Sequence, residues 1–569
     1  MHIDIVPNRK SPPAVLLRES FREGTKVRKR TLANLSALSA EQVDAIRRTL
    51  KGERLVPVAE LFEIIRSEHH GHVQAVRAAM KQLGFESLVA SRPSRERDLV
   101  LAMVIARILE PTSKLATTRW WHTTTLPEAF GVADADEDDL YAALDWLITR
   151  QEHIEKKLAA RHLKNGGLVL YDLSSSYFEG TKSPVAALGY NRDGKSGKLQ
   201  VNYGLLTDPR GRPVAVSVFQ GNTGDPKTFM PQVEKLQKTF GIEQLVLVGD
   251  RGMISQKQIN ELKQRDGMDW ITALRTGAIR KLVDGGHIQL GLFDERNLFE
   301  ITHPDFPGER LVACRNPQLA RLRANKRQSL LQATSKELEK VRGMISRGKI
   351  KGKDAIGVRV GKVIDKYKMS KHMILNIHDD GFDFHLDDDK VSAEAVLDGI
   401  YVVRTSVSAQ RLPTDDVVRS YKMLSQVERA FRSFKTIDLE VRPIRHRLED
   451  RVKAHIFLCM LAHYVVWHMI ESWREILFCD EDQHAKETRD PVAPAKRSEA
   501  ALAKVHSRAL DDGTPVHSFQ TLLKDLSSIV SNTCRRHGAS APGEPTFNII
   551  TTPTPAQQRA YDLLGSIHV

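Results

Sequence analysis

At 569 residues the chain is too long for one hydrophobic core, and its 41% apolar content is enough to fill roughly three or four domains. A formal charge of +14 and a pI near 9.4 favour a polyanionic partner. No run of about 18 uncharged apolar residues is present, which argues against a membrane protein, and the four scattered cysteines, with no C-x-x-C pair, argue against a disulfide framework or a structural zinc cluster.

Residues 1–160 are expected to form a mostly helical DNA-binding region. It starts with β-like runs at 2–7 and 14–19 and the basic cluster Arg28-Lys29-Arg30. Ser39-Ala40-Glu41-Gln42 is a helix cap, and Arg97 to Leu109 is periodic in its apolar residues. Trp120 and Trp121 are assigned to the core. Asp4, Pro7 and Asn8 close behind Met1 leave no apolar signal core, so a cytoplasmic location is expected.

Residues 161–275 alternate strands and helices. Strands are expected at 168–172, 201–207, 213–219, 245–249 and 270–274, with helices from Asp225-Pro226 to about Phe240 and from Ser255 to Arg265. Three strands able to form a meander, then helix, strand, helix, strand, is the order of the RNase H-like fold. The fold class is therefore α/β: a mixed five-stranded RNase H-like sheet flanked by helices. Gly189 to Ser196 matches the phosphate-loop pattern G-x-x-x-x-G-K-S, but no strand leads into it and a strand rather than a helix follows. Its Arg192 and Lys195, beside the first acid of the core, are read as contacts to a DNA backbone.

Residues 276–412 read as a β-rich basic insertion that interrupts this core. Between Arg315 and Lys353 twelve Lys or Arg residues face only Glu337 and Glu339, which suits a phosphate-facing surface. The run from Asp379 to Asp389 lacks the spacing of a calcium loop and is read as a solvated turn. The core resumes over 413–475 with the helix of Glu428 and an apolar helix around 456–473. In the latter His455, Cys459 and His463 are assigned to packing. Residues 476–569 form a C-terminal region with loose connections at 480–500 and 537–556.

Three carboxylates carry the chemistry. Asp172 in LVLYDLSSSYFEG and Asp250 in LVLVGDRGM are placed at or near the ends of buried strands, and Glu428 lies in YKMLSQVERAFRSFK. In that last segment Tyr421, Leu424, Glu428, Phe431 and Lys435 share one helical face. Three acids delivered by two strands and a helix suit a pair of hard divalent cations, which stabilise both oxygens of an in-line phosphoryl displacement. The chain reads as a phosphodiester-cutting enzyme with Asp172, Asp250 and Glu428 as catalytic and metal-binding residues. Arg251, directly after the second acid, is grouped with the DNA-contacting residues.

YDLSSSYFEG, GYNRDGK, VAVSVFQGNTGDP, LVLVGDRGM and Y-x-x-L-x-x-x-E-x-x-x-x-x-x-K together resemble the DDE transposases of bacterial insertion sequences, specifically the insertion-sequence-four-type superfamily with a β-rich insertion before the last acid. The resemblance covers roughly 165–475. It implies that Asp172, Asp250 and Glu428 bind two magnesium ions, with manganese able to substitute. It also implies hydrolysis at the 3′ ends of the element, then attack of the freed 3′-hydroxyls on target DNA. Tyr421 and Lys435 would contact DNA phosphates. The family's arginine is Leu424 here, and Arg419, Lys422, Arg429 or Arg432 would take its place. Some relatives trap a flipped base with a tryptophan of the insertion; residues 276–412 contain none, so hairpin formation is not supported, and Phe293, Phe299 or Tyr367 are the available aromatic substitutes. The implied partners are double-stranded DNA, as terminal inverted repeats and target, and a second copy in a synaptic homodimer, in the bacterial cytoplasm at the nucleoid. Two alternatives share these features: a transposase-derived DNA-binding protein, and a metal-dependent nuclease without strand transfer.

Overall fold

The computed structural model describes residues 1–9, 11–53, 61–480, 482, 488–537 and 545–568, with the backbone alone at 294–295. The chain forms two units, one from Met1–Glu68 with Val530–Thr551, the other from His69–Ile529 with Thr552–Val569. The first unit opens with an antiparallel sheet of β1 (His2–Val6), β2 (Ala14–Glu23) and β3 (Lys26–Asn34). The β-like runs expected at 2–7 and 14–19 are β1 and the first part of β2, whereas the strand β3 over the basic cluster was not expected. The signal was hidden because every residue of β3 is exposed, so no apolar alternation marks it. The basic cluster is held as a strand by cross-strand ion pairs, Lys29 with Asp4 at 2.9 Å and Arg30 with Glu19 at 2.8 Å. Helix Ala40–Leu50 follows, capped as expected: the Ser39 hydroxyl accepts from the Gln42 amide at 3.2 Å and the Gln42 side chain accepts from the Ser39 amide at 2.9 Å. β4 (Phe62–His69) belongs to a second sheet completed from the far end of the chain.

The second unit begins with helices over residues 71–162. Ser94 caps Arg95–Leu109, whose residues Leu99 to Ile108 are all buried. Trp121 is fully buried and Trp120 packs against the same core. The sheet that follows contains β5 (Leu168–Tyr177), β6 (Gln200–Thr207), β7 (Pro213–Gln220), β8 (Leu245–Val248) and β9 (Met268–Ala273), adjacent in the order β7-β6-β5-β8-β9. β5, β6 and β7 form an antiparallel meander, while β8 pairs parallel to β5 and β9 parallel to β8. This is the RNase H-like arrangement. Close packing in it depends on Gly204 of β6, where a Cβ would stand 2.2 Å from the hydroxyl of Tyr171 on β5. Between β7 and β8 lies helix Asp225–Glu234, whose cap is Gly224, one residue before the expected Asp225.

The sheet does not stop at five strands. β10 (Leu298–Ile301), β11 (Arg310–Arg315) and β14 (Ile400–Thr405) extend it to eight, through antiparallel pairing of β14 with β9. Residues 276–412 are therefore not a β-rich body. Their strands are mostly part of the core sheet, and the remainder is dominated by a 30-residue helix, Pro317–Ser346, packed on Lys353–Tyr367 and on the hairpin β12 (Met373–Ile377) and β13 (Phe382–Leu386). The long helix was concealed by its charge: only Leu331, Thr334, Leu338 and Val341 of it are buried. In the acidic run, Asp387 caps helix Asp388–Ala395 and the remainder includes the exposed turn between β12 and β13.

Helix Glu449–Ser472 runs through the core of this unit, with His455, Cys459 and His463 buried along it. By length and composition it would pass for a membrane span, but 83% of its apolar window is buried within the protein. Of the segment 480–500, residues 481 and 483–487 lie outside the described residues. Val492 is fully buried and its carbonyl accepts from Asn316 at 2.9 Å, so that part is docked rather than loose. β15 (Val530–Arg536) and β16 (Thr546–Ile550) complete the first unit's second sheet, ordered β16-β15-β4, with Arg535 paired to Glu63 at 2.5 Å. Strand β16 replaces part of the loose connection expected at 537–556, of which 538–544 lie outside the described residues.

Candidate active site

Asp172 is the fifth residue of β5, inside the strand rather than at its end. The sheet still opens there. β5 pairs with β6 as far as Tyr177, but its parallel pairing with β8 ends at Leu170, so Asp172 lies just past the last rung on that side. Asp250 comes two residues after β8. Gly249 makes the turn possible, because a Cβ at that position would meet Ile254 at 2.9 Å. Glu428 is exposed on helix Leu424–Arg432, which is anchored by buried Val427 and Phe431, the latter edge-on to Tyr203 of β6 at 5.8 Å.

The expected continuous helix from Tyr421 to Lys435 is broken. Thr414–Lys422 ends before Met423, Leu424–Arg432 starts after it, and Ser433–Ile437 is a π-turn. Tyr421 and Lys435 consequently serve different places. The Tyr421 hydroxyl donates to Asp250 Oδ1 at 3.3 Å, and burial, then the Asp250 charge, push the phenol's pKa up. Lys435 donates to Asp193 Oδ1 at 2.9 Å, and burial is the main cause of its lowered pKa.

The three acids act on one another. Asp172 has its pKa raised to about 7, first by withdrawal from solvent and then by the carboxylates of Asp250 and Glu428, against the Leu173 amide and Arg192, which lower it. The amide of Leu173 donates to Asp172 Oδ1 at 2.8 Å, and that of Gly252 to Asp250 Oδ2 at 3.4 Å. Among the described residues no group of three or more His, Cys, Asp or Glu side chains is gathered into a ready metal cage. The donor set nonetheless fits divalent cations: it is all carboxylate oxygen, and a cation would favour the ionised Asp172 that burial, and then the two neighbouring carboxylates, disfavour.

The loop expected to contact DNA is bolted to the site. Asp193, its carboxylate almost fully buried, accepts from Lys435, from Arg442 at 2.5 Å and from the Tyr177 amide at 3.0 Å. The loop precedes a strand and is followed by no helix, so it is not a phosphate loop. Arg192 pairs with Asp225 at 2.5 Å and Lys195 lies over the Tyr177 ring at 5.9 Å. Asp225, Asp193 and Arg442 are site residues that sequence reasoning missed. Asp225 was visible only as a helix start, yet a Cβ on Gly252 would sit 3.5 Å from an oxygen of Asp250 and 3.8 Å from one of Asp225.

Beside Asp250 lies a cavity of about 530 Å³ lined by Asp250, Arg251 and Tyr421 on one side and by Arg323, Lys326 and Arg327 of the long helix on another. Arg251 is exposed there, and Arg432 is exposed on the Glu428 helix. Leu424 is half-buried against the core, while the proposed substitute Arg419 is occupied by Asp416 at 2.8 Å. Phe293 and Phe299 are buried against each other, and Tyr367 packs within the cluster of the long helix.

Residues 167–465 match the family model described as "Transposase DDE domain", and residues 3–56 match that of the "IS1634 family transposase, N-terminal domain". None of the curated proteins matches the chain. Among solved structures, the chain is similar to one titled "Cryo-EM structure of piggyBac transposase synaptic complex with hairpin DNA", with 10% identity over 80% of this chain and 82% of that one and a TM-score of 0.33.

Proposed function

The chain belongs to the DDE transposases, and from that premise we propose that it cuts the ends of an insertion sequence and joins the freed 3′-hydroxyls to target DNA by two-metal phosphoryl transfer. The observation that carries this reading is that Asp172, Asp250 and Glu428, from elements far apart in sequence, all fall within the residues matched to the transposase DDE domain, with Asp250 and Glu428 near enough to Asp172 to act on its charge. Asp172, Asp250 and Glu428 would hold two magnesium ions, for which manganese could substitute; when bound, these would activate the attacking hydroxyl and stabilise the leaving oxygen.

The chain's own groups prepare that chemistry. Tyr421 fixes the Asp250 carboxylate through its hydroxyl, and the Gly252 amide orients the second oxygen. The clamp of Asp193 with Lys435 and Arg442 holds the loop that carries Arg192 against the end of β5. Lys435 thus acts by positioning, and the direct phosphate contacts fall to Arg251, Lys195, Arg432 and the cations of the long helix. Double-stranded DNA is the substrate, as both ends and target. A homodimer that brings two ends together and a cytoplasmic site of action complete the reading.

The test is a donor plasmid carrying the sequence that flanks the gene, incubated with purified protein and magnesium. Discrete end cleavage and joined products, absent with Glu428→Ala, are expected. Binding with no metal-dependent cutting by the wild type overturns the catalytic assignment, and cutting with no joined product leaves a nuclease.

A further inference from the structure

A second cavity, of about 600 Å³, opens between the end of helix Arg95–Leu109, the Lys114 turn and the segment that follows the Glu428 helix. Its charge is one-sided. Arg107, Lys114, Arg442, Arg445, Arg447 and Arg451 line it against the single acid Glu440. The cavity beside Asp250 is nearly balanced by comparison, with Arg251, Arg323, Lys326 and Arg327 set against Asp250, Glu394 and Asp398.

Three of the six cations are answered from outside: Arg442 by Asp193 at 2.5 Å, Arg445 by Glu179 at 3.1 Å and Arg451 by Asp145 at 2.8 Å. The two deepest are not. Lys114 is only 4% exposed, and its ammonium has no hydrogen-bond or ion-pair partner among the described residues. Arg107 is 6% exposed; it gives one nitrogen to the Thr112 carbonyl at 2.9 Å, and its Nε has no partner. Two buried cations side by side without a counter-ion are costly, and Lys114 answers by having its pKa lowered to about 7, first by burial and then by Arg107. Nothing in the cutting chemistry uses either group.

We propose that this cavity is a binding site for a small phosphorylated anion carrying two or more phosphate groups, with Lys114 and Arg107 on the innermost phosphate and exposed Arg447 at the mouth. A phosphate accepts charge-assisted hydrogen bonds from an ammonium and a guanidinium together, which restores the counter-ion that both lack. The volume leaves room for more than one such group. The depth of Lys114 favours a free anion over a backbone phosphate, because a duplex would be held off at the rim by Arg445 and Arg447, both exposed.

The experiment uses the full chain without magnesium, so that chelation plays no part. Thermal melting and calorimetric titration are run with tripolyphosphate, inorganic phosphate and a short DNA duplex, on wild type, Lys114→Met, Arg447→Ala and Asp172→Asn. Saturable binding of tripolyphosphate with a raised melting temperature is expected, weakened about tenfold in Arg447→Ala, lost in Lys114→Met and unchanged in Asp172→Asn. Lys114→Met should itself melt no lower than wild type, since it removes an uncompensated buried charge; Arg447→Ala, at the surface, reports even if it does not. Loss of duplex binding in Lys114→Met, with no tripolyphosphate binding to wild type, would assign the phosphate to the DNA backbone and overturn the free-anion site. Equal binding of tripolyphosphate by all four proteins, or by none, would overturn it as well.

Discussion

The cluster of three acids and the Lys114 cavity are electrostatic opposites. In the first, a carboxyl among carboxylates is pushed up to about 7; in the second, an ammonium beside a guanidinium is pushed down to about 7. In each case burial is the largest cause and like charge the second contributor that adds to it. What differs is the sign of the missing partner: Asp172 calls for a cation and Lys114 for an anion. The pH dependences are also opposed. Asp172, raised in the folded state, costs stability as pH rises through the window from about 4 to 7, whereas Lys114, lowered, carries its full cost below about 7 and loses it as pH rises towards 10.5. A cleft that holds its own charges in tension is thus a stronger sign of a ligand than one in which the charges cancel.

The contrast can be broken most severely at the acids. Asp250→Asn or Glu428→Gln should lower end cleavage by on the order of 10³-fold or more while duplex affinity stays within about twofold; cleavage and binding falling together, measured on the same labelled duplex, would mean that the acids are structural. Next comes the clamp. Asp193→Ala leaves Lys435 and Arg442 facing each other without their shared counter-ion, and urea unfolding should report a loss of about 3 kcal/mol together with slower cleavage.

Third, Asp172→Asn removes a buried charge, so the metal-free variant should be more stable than wild type at pH 8 by about 1–3 kcal/mol, equal to it at pH 4, and overtaken once magnesium is added; no crossover in melting temperature between these conditions would sink the shared-cation reading. The smallest effect belongs to the balanced cleft. Lys326→Ala should weaken duplex binding a fewfold and reduce the salt slope by about one, with no change in the pH dependence of stability.

The order β5 to β9 was legible because LVLY, VAVSVF and LVLV are apolar runs bounded by turns, and the acids were legible because they interrupt or follow such runs. Glu428 was found by its helical seam, although the seam is broken at Met423, a break that no residue between Tyr421 and Lys435 announces with Gly or Pro. The widening of the sheet was not legible, since β10, β11 and β14 are short and the pairing of Val403 with Ala273 spans a long insertion. Nor was the clamp: Asp193 and Lys435 lie 242 positions apart, and local pattern carries nothing about which lysine meets which aspartate. β3 escaped because a strand with no buried face has no alternation to read.

The first unit is built from both ends of the chain, with β4 next to β15 in one sheet. During synthesis the strand Phe62–His69 emerges long before Val530–Arg536 exists, and at about 5–20 residues per second the gap lasts some tens of seconds. Through that interval residues His69–Ile529 of the second unit, including Asp172, Asp250 and Glu428, emerge while the amino-terminal unit still waits for its last two strands. The ribosome thus delivers the three acids before either unit has its last segment: β15 and β16 come next, and the helix Pro555–Leu564 of the second unit comes after them.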